Sequence, residues 1–281
     1  MLAYLEDDLE RARRSRAALP AGMPGSGTAA LAHSPSSRQQ PRMSNASLAI
    51  DLDGVARRFA RRWVLRGVTL RVQPGEVVGL TGNNGSGKTT LLRIVSTLLR
   101  PTRGGGSVFG HDLVNDAAAV RPYIGYLGHA AGLYDDLTAF ENLRFSVRMA
   151  GLDVGAGVLD EALERVRLDE FRNERTRGFS AGMRRRLGVA RLLVRPPRLL
   201  LLDEPYASFD VDGITLVNEL ASSVAEAGGA TLIATHDVAR GRGVLTRMVR
   251  IVEGRLVQRT LDEEEAYLAG RPPAPPLEAE A

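Results

Sequence analysis

GNNGSGKTT, residues 82–90, decides the fold. It follows directly on the short apolar run VVGLTG and leads into the apolar stretch LLRIVSTLL, so a glycine-rich turn joins a buried strand to a helix. Gly82, Gly85 and Gly87 let such a loop wrap until its backbone N–H groups, and those of the following helix, face a phosphate chain. Asn83, Asn84, Ser86 and Thr90 complete the loop. Lys88 reaches the terminal phosphates as a point charge, and Thr89 offers its hydroxyl to Mg²⁺. One count strengthens this reading. Of the 37 Lys plus Arg, only Lys88 is lysine, so a chain that otherwise uses arginine keeps a compact ammonium where a planar guanidinium would not fit.

Working outward, a magnesium-dependent phosphate site needs a carboxylate at the end of a neighbouring strand. RLLLLDEP, residues 198–205, is a second buried strand that ends in one. Asp203 is the metal-side carboxylate, and Glu204 orients or deprotonates the attacking water. GATLIATHD reads as a third buried strand, LAIDLDGV and WVLRGVTLRV as strands before the loop, and VRIVEGRLVQ as a hairpin about Glu253 and Gly254. The middle of the chain is helical. Thr138 and Glu141 have capping-box spacing for a helix running to Gly151, and VLDEALERVR follows as a second helix.

Composition sets the outer bounds. With 281 residues, 44% hydrophobic and 25% charged, the chain is long enough for one large or two modest cores. Cysteine is absent, which excludes disulfides, thiolate metal sites and a cysteine nucleophile. No apolar run approaches the ~18 residues of a membrane span, so work at a membrane would require a partner to supply it. The formal charge of +4 and pI near 9.8 fit a solvated arginine-rich surface or an anionic partner. Residues 1–43 read as a flexible extension without a core, 44–258 as the folded body and 259–281 as a disordered tail.

The phosphate loop and LLLLDEP, with FSAGM at 179–183 between them and SFD at 208–210 and His236 after them, resemble the ATP-binding subunits of ABC transporters over residues 46–257. The resemblance implies an α/β fold: a P-loop NTPase core of the RecA-like type with an antiparallel β subdomain and a helical subdomain at about 131–179. It also implies ATP and Mg²⁺ as cofactors, catalytic roles for Glu204, His236 and Lys88, and metal contacts from Thr89, Asp203 and His129. Phe59 matches the position whose ring stacks on adenine, although a buried core phenylalanine is the alternative reading.

Further implications concern assembly. Two subunits of the family close head to tail, so Ser180, Gly182 and Asp210 would meet nucleotide held by the other copy. In YLGHAAGLYDDLT, residues 126–138, His129 stands where most members carry a glutamine. A neutral imidazole there offers one nitrogen lone pair, whereas an imidazolium would repel the metal. The following AAGLYDD would meet a separate membrane permease, with the protein on the cytoplasmic face of the inner membrane. The Gly-His pair, the Ser-Ala-Gly core of FSAGM and DEPYASFDVDG are similar to ATP-binding subunits of haem exporters used in cytochrome c maturation. FSAGMRRRLGVARLL is equally similar to ATPases of drug, lipid or polysaccharide exporters. Soluble relatives acting on ribosomes or DNA generally carry two cassettes or a long coiled-coil insert. This chain has one cassette and a short insert, so no nucleic-acid partner is expected.

Overall fold

The computed structural model describes residues 47–128, 132–207 and 209–270. The extension expected over 1–43, His129 and the end of the expected tail, 271–281, lie outside these residues. Among the described residues the strands form two sheets. The first is antiparallel, with order β2-β1-β4-β5, from β1 (Ile50–Phe59), β2 (Arg62–Val72), β4 (Arg103–Val108) and β5 (His111–Asp112). The second has order β10-β9-β3-β8-β7-β6, from β3 (Val77–Gly82), β6 (Ile124–Leu127), β7 (Leu199–Asp203), β8 (Ala230–Ala234), β9 (Arg247–Val252) and β10 (Arg255–Arg259). Its strands pair in parallel except for β10, which turns back on β9 as the hairpin expected at Glu253 and Gly254.

The parallel strands are apolar throughout because both of their faces are covered. In β7 every residue is buried, and its side chains alternate between two cores: Leu200 and Leu202 join one, Leu199 and Leu201 the other. Helix α1 (Lys88–Val95) packs Leu91, Leu92, Ile94 and Val95 into the second core. It is followed by the short α2 (Ala117–Val120).

The helical insert forms as its capping chemistry directs. In α3 (Ala139–Met149) the Thr138 hydroxyl accepts from the Glu141 backbone N–H, and the Glu141 carboxylate accepts from the Thr138 backbone N–H. Helix α4 (Ala156–Arg165) follows, then α5 (Ala181–Val194) and α6 (Val211–Glu226). Leu143, Leu159, Leu163 and Leu187 share the first core with Leu200 of β7, so the insert and the sheet are joined through one apolar interior.

One expectation needs correction, and one strand lies outside every expectation. The tail expected from residue 259 is ordered at its start: β10 extends to Arg259 and a capping box of Thr260 and Glu263 begins α7, Leu261–Leu268. Composition misled here, because the acidic run DEEE belongs in a first helical turn, where it complements the helix dipole. The glycine-rich RGGGSV, which carries no strand signal, is β4. There β1 approaches closely: a Cβ on Gly104 would lie 2.3 Å from the Gly54 carbonyl oxygen.

Candidate nucleotide-binding site

The strand–turn–helix order brings residues 82–90 to the carboxyl end of β3, beside the ends of β7 and β8. A cleft of about 380 Å³ opens there, lined by Arg62, Val64, the residues from Asn83 to Thr90, Asp203 and Glu204. The loop is held in a shape that demands its glycines. Gly82, Gly85 and Gly87 all have positive φ, and a Cβ on Gly87 would press to 2.7 Å from Leu65 Cδ2. Lys88, only 8% exposed, curls back so that its Nζ donates to the Gly82 carbonyl at 2.8 Å and lies 3.8 Å from Glu204 Oε1.

The donor set fits a phosphate chain. Ser86 Oγ is buried within the loop with no hydrogen-bond partner, Lys88 is a near-buried cation, and the start of α1 presents its free N–H groups to the same space. It also fits a hard cation shared with that chain. Thr89 Oγ1 donates to Asp203 Oδ1 at 3.2 Å, which puts a hydroxyl and a carboxylate side by side. Among the described residues no cluster of three or more His, Cys, Asp or Glu could hold a metal alone.

Glu204 has an unusual backbone, at φ 50°, a left-handed conformation that costs a non-glycine residue energy and persists only where its surroundings impose it. They do. Its N–H donates to Ala234 O at 2.8 Å, while its carbonyl accepts from the Arg185 guanidinium. Its carboxylate Oε2 accepts from His236 Nδ1 at 2.7 Å and from the His236 backbone N–H at 3.3 Å. The His236 side chain is itself 70% exposed, free to meet a ligand on its far side.

Sequence reasoning missed two residues of this centre. Arg185, on α5 and 7% exposed, gathers the carbonyls of Asp203 (2.9 Å), Glu204 and Pro205 (3.3 Å). Burial pulls its guanidinium below the ordinary arginine value, with the charges of Asp203 and Glu204 opposing that effect. Tyr126, in the YIGYL run, donates its hydroxyl to Asp203 Oδ2 at 3.4 Å. Burial, and then the Asp203 charge, push that phenol up. No sequence signal marks Arg185 among its arginine neighbours; only helical phase places it inward.

The remaining candidates lie elsewhere. Phe59 ends β1 at 44% exposure with the Arg57 guanidinium 4.7 Å from its ring centroid, which rules out the buried-core alternative. Ser180 caps α5, its hydroxyl accepting from Met183 N–H at 3.2 Å and keeping its own hydrogen to donate. Gly182 lies in the first turn of that helix. Asp210 caps α6 through Gly213 N–H at 3.0 Å and binds Arg186 Nη2 at 2.6 and 2.8 Å. The Gly213 hydrogen bond, then the Arg186 charge, hold its carboxyl below the usual value. None of Ser180, Gly182 and Asp210 lines the cleft formed by the chain's own phosphate loop.

Comparison with known proteins gives one family throughout. The family model described as ABC transporter matches residues 65–207. The chain is 38% identical over 228 residues to the daunorubicin resistance ATP-binding protein DrrA3 of Streptomyces coeruleorubidus, covering 80% of this chain and 72% of that protein. It is 39% identical over 182 residues to the cytochrome c biogenesis ATP-binding export protein CcmA of Methylococcus capsulatus, covering 65% and 88%. Among solved structures, an ATP-binding subunit of an ABC transporter aligns with TM-score 0.70 at 25% identity, over 79% of this chain and 99% of that one. A dimeric ATP-binding cassette in a post-hydrolysis state with ADP and Pi aligns with TM-score 0.68 at 25% identity, over 75% and 98%.

Proposed function

The chain belongs to the ABC transporter family as one of its ATP-hydrolysing subunits, and from that premise we propose that it drives export through a separate membrane permease, with haem export for cytochrome c assembly as its task. The observation that carries this reading is the run of relatives named as cytochrome c biogenesis export proteins, in Methylococcus, Cupriavidus and Xanthomonas, at 38 to 41% identity. Drug efflux is the second reading, favoured by the longer match to DrrA3. No helix among the described residues is long and apolar enough to cross a membrane, which agrees with a separate permease as the path for cargo. We place the subunit on the cytoplasmic face of the inner membrane, paired head to tail with a second copy and without a nucleic-acid partner.

In this reading Lys88, Ser86 and the loop N–H groups hold the β- and γ-phosphates of ATP, and Thr89 and Asp203 hold Mg²⁺. The ion supplies charge neutralisation on the phosphates during hydrolysis. Glu204 orients the attacking water and accepts its proton, and His236 fixes the carboxylate from the other side. Phe59 stacks on adenine. His129 takes the place of the family's glutamine toward metal or water. Ser180, Gly182 and Asp210 complete the nucleotide site of the partner copy.

Two strains lacking their own export ATPase separate the cargo readings. Expression of this chain with its cognate permease should restore covalent haem attachment to a periplasmic cytochrome c. Restored daunorubicin tolerance without cytochrome c maturation would replace the haem reading with the efflux reading.

A further inference from the structure

Helix α7 reaches the phosphate loop through one arginine. Arg250, on β9, is 4% exposed and faces Thr81 of β3 in the parallel register. Its Nη1 donates to Glu264 Oε1 of α7 at 2.6 Å, and its Nη2 donates to Asn83 Oδ1, the first residue after Gly82, at 3.1 Å. The Tyr267 ring, one helical turn beyond Glu264, lies 3.8 Å from the guanidinium carbon.

Glu264 is fully buried, so this is an ion pair removed from water, where each partner is costly without the other. The helix that carries it is fastened on a second line, since Arg242 binds Asp262 at 2.7 Å and Glu265 at 2.5 Å. Asn83, in turn, closes the loop: its carbonyl accepts from Ser86 N–H at 3.0 Å. A rigid fork held by a buried carboxylate on one side therefore fixes the side chain of the residue at which the loop begins to turn.

We propose that Arg250 is a positioning residue for nucleotide binding, holding Asn83 and with it the phosphate loop, and that α7 exists to keep Arg250 aimed. This rests on the loop being the nucleotide site. An ammonium at position 250 retains the charge opposite Glu264 but lacks the fork that serves both acceptors.

The test uses the full chain, with the dissociation constant of a fluorescent trinitrophenyl-ATP, the kcat for ATP and the melting temperature measured side by side. Arg250→Lys and Asn83→Ala should each weaken nucleotide binding by about threefold to tenfold, and Arg250→Lys, which lies outside the cleft lining, should keep kcat within about twofold of wild type. The double variant should be no weaker than the single ones, because both changes break the same link. Tyr267→Ala, which removes a partly exposed ring from the Arg250 guanidinium and leaves both of its hydrogen bonds, should weaken binding by a smaller factor. Lower melting temperature with unchanged affinity in Arg250→Lys would reduce the network to a structural brace and overturn the proposal. Multiplying losses in the double variant would also overturn it. A wild-type chain that binds no nucleotide would remove the phosphate-loop reading too, whereas wild-type binding shared by every variant would remove this proposal alone.

Discussion

Glu204 Oε2 lies 2.7 Å from His236 Nδ1 while Glu204 Oε1 lies 3.8 Å from Lys88 Nζ, so one carboxylate spans the gap between the phosphate loop and the end of β8. Glu204→Gln keeps the shape and removes the base. Nucleotide binding should persist, kcat should fall by about 10²-fold or more, and ATP should hold the protein as a dimer on size-exclusion chromatography. Turnover close to wild type would remove Glu204 from its role.

Lys88→Arg should lose nucleotide affinity although the charge is kept. The ammonium is nearly buried and folded against the Gly82 carbonyl, and a planar fork is wider than the single nitrogen it would replace there. Equilibrium binding of labelled ATP checks this, and wild-type affinity would contradict it.

Arg185→Met should both destabilise and slow the protein. It leaves the carbonyls of Asp203, Glu204 and Pro205 without their buried donor, a loss of about 2–4 kcal/mol in unfolding free energy. Glu204 also loses a contact that imposes its left-handed backbone, so kcat should drop beyond what a similar loss of stability elsewhere produces. Denaturant melts and kinetics on Arg185→Met, compared with a core variant such as Leu163→Ala, separate the two effects.

Acid should weaken the packing of β3 against β9 through Glu76. Burial alone would raise its carboxyl, but the Arg247 guanidinium at 2.9 Å and the Gln73 N–H at 2.8 Å hold it below the ordinary value of 4.5. A carboxyl depressed by folding contributes stability that is fully present above its unfolded value and is lost as pH falls through the folded one. Glu76→Gln should therefore melt lower than wild type at neutral pH, with the difference shrinking as pH falls below about 4.5. A constant difference down to pH 3 would contradict the assignment.

Much of this architecture was legible because its signals are local. A phosphate loop between an apolar strand and an apolar helix, a strand ending in Asp-Glu and a capping box at Thr138 each state their geometry within ten residues. What escaped was set by distance along the chain. Arg185 and Asp203 are 18 residues apart, and Arg250 and Asn83 are 167 apart, so only the folded chain brings them together. Strand β4 escaped for a different reason: glycines that normally interrupt strands are required there by the approach of β1. The acidic first turn of α7 reads as a tail because charge density carries no record of the buried Arg250 that answers it.

The alternation of β7 between two cores has a mechanical side. Asp203 and Glu204 stand at the tip of a beam built into two walls, with Leu200 and Leu202 set in one and Leu199 and Leu201 in the other. A cavity opened on either side would loosen the same pair of carboxylates, so Leu200→Ala and Leu201→Ala, on opposite faces, should leave similar marks on turnover. Motion that serves the ATP cycle must then bypass the beam and be carried by loops at its end.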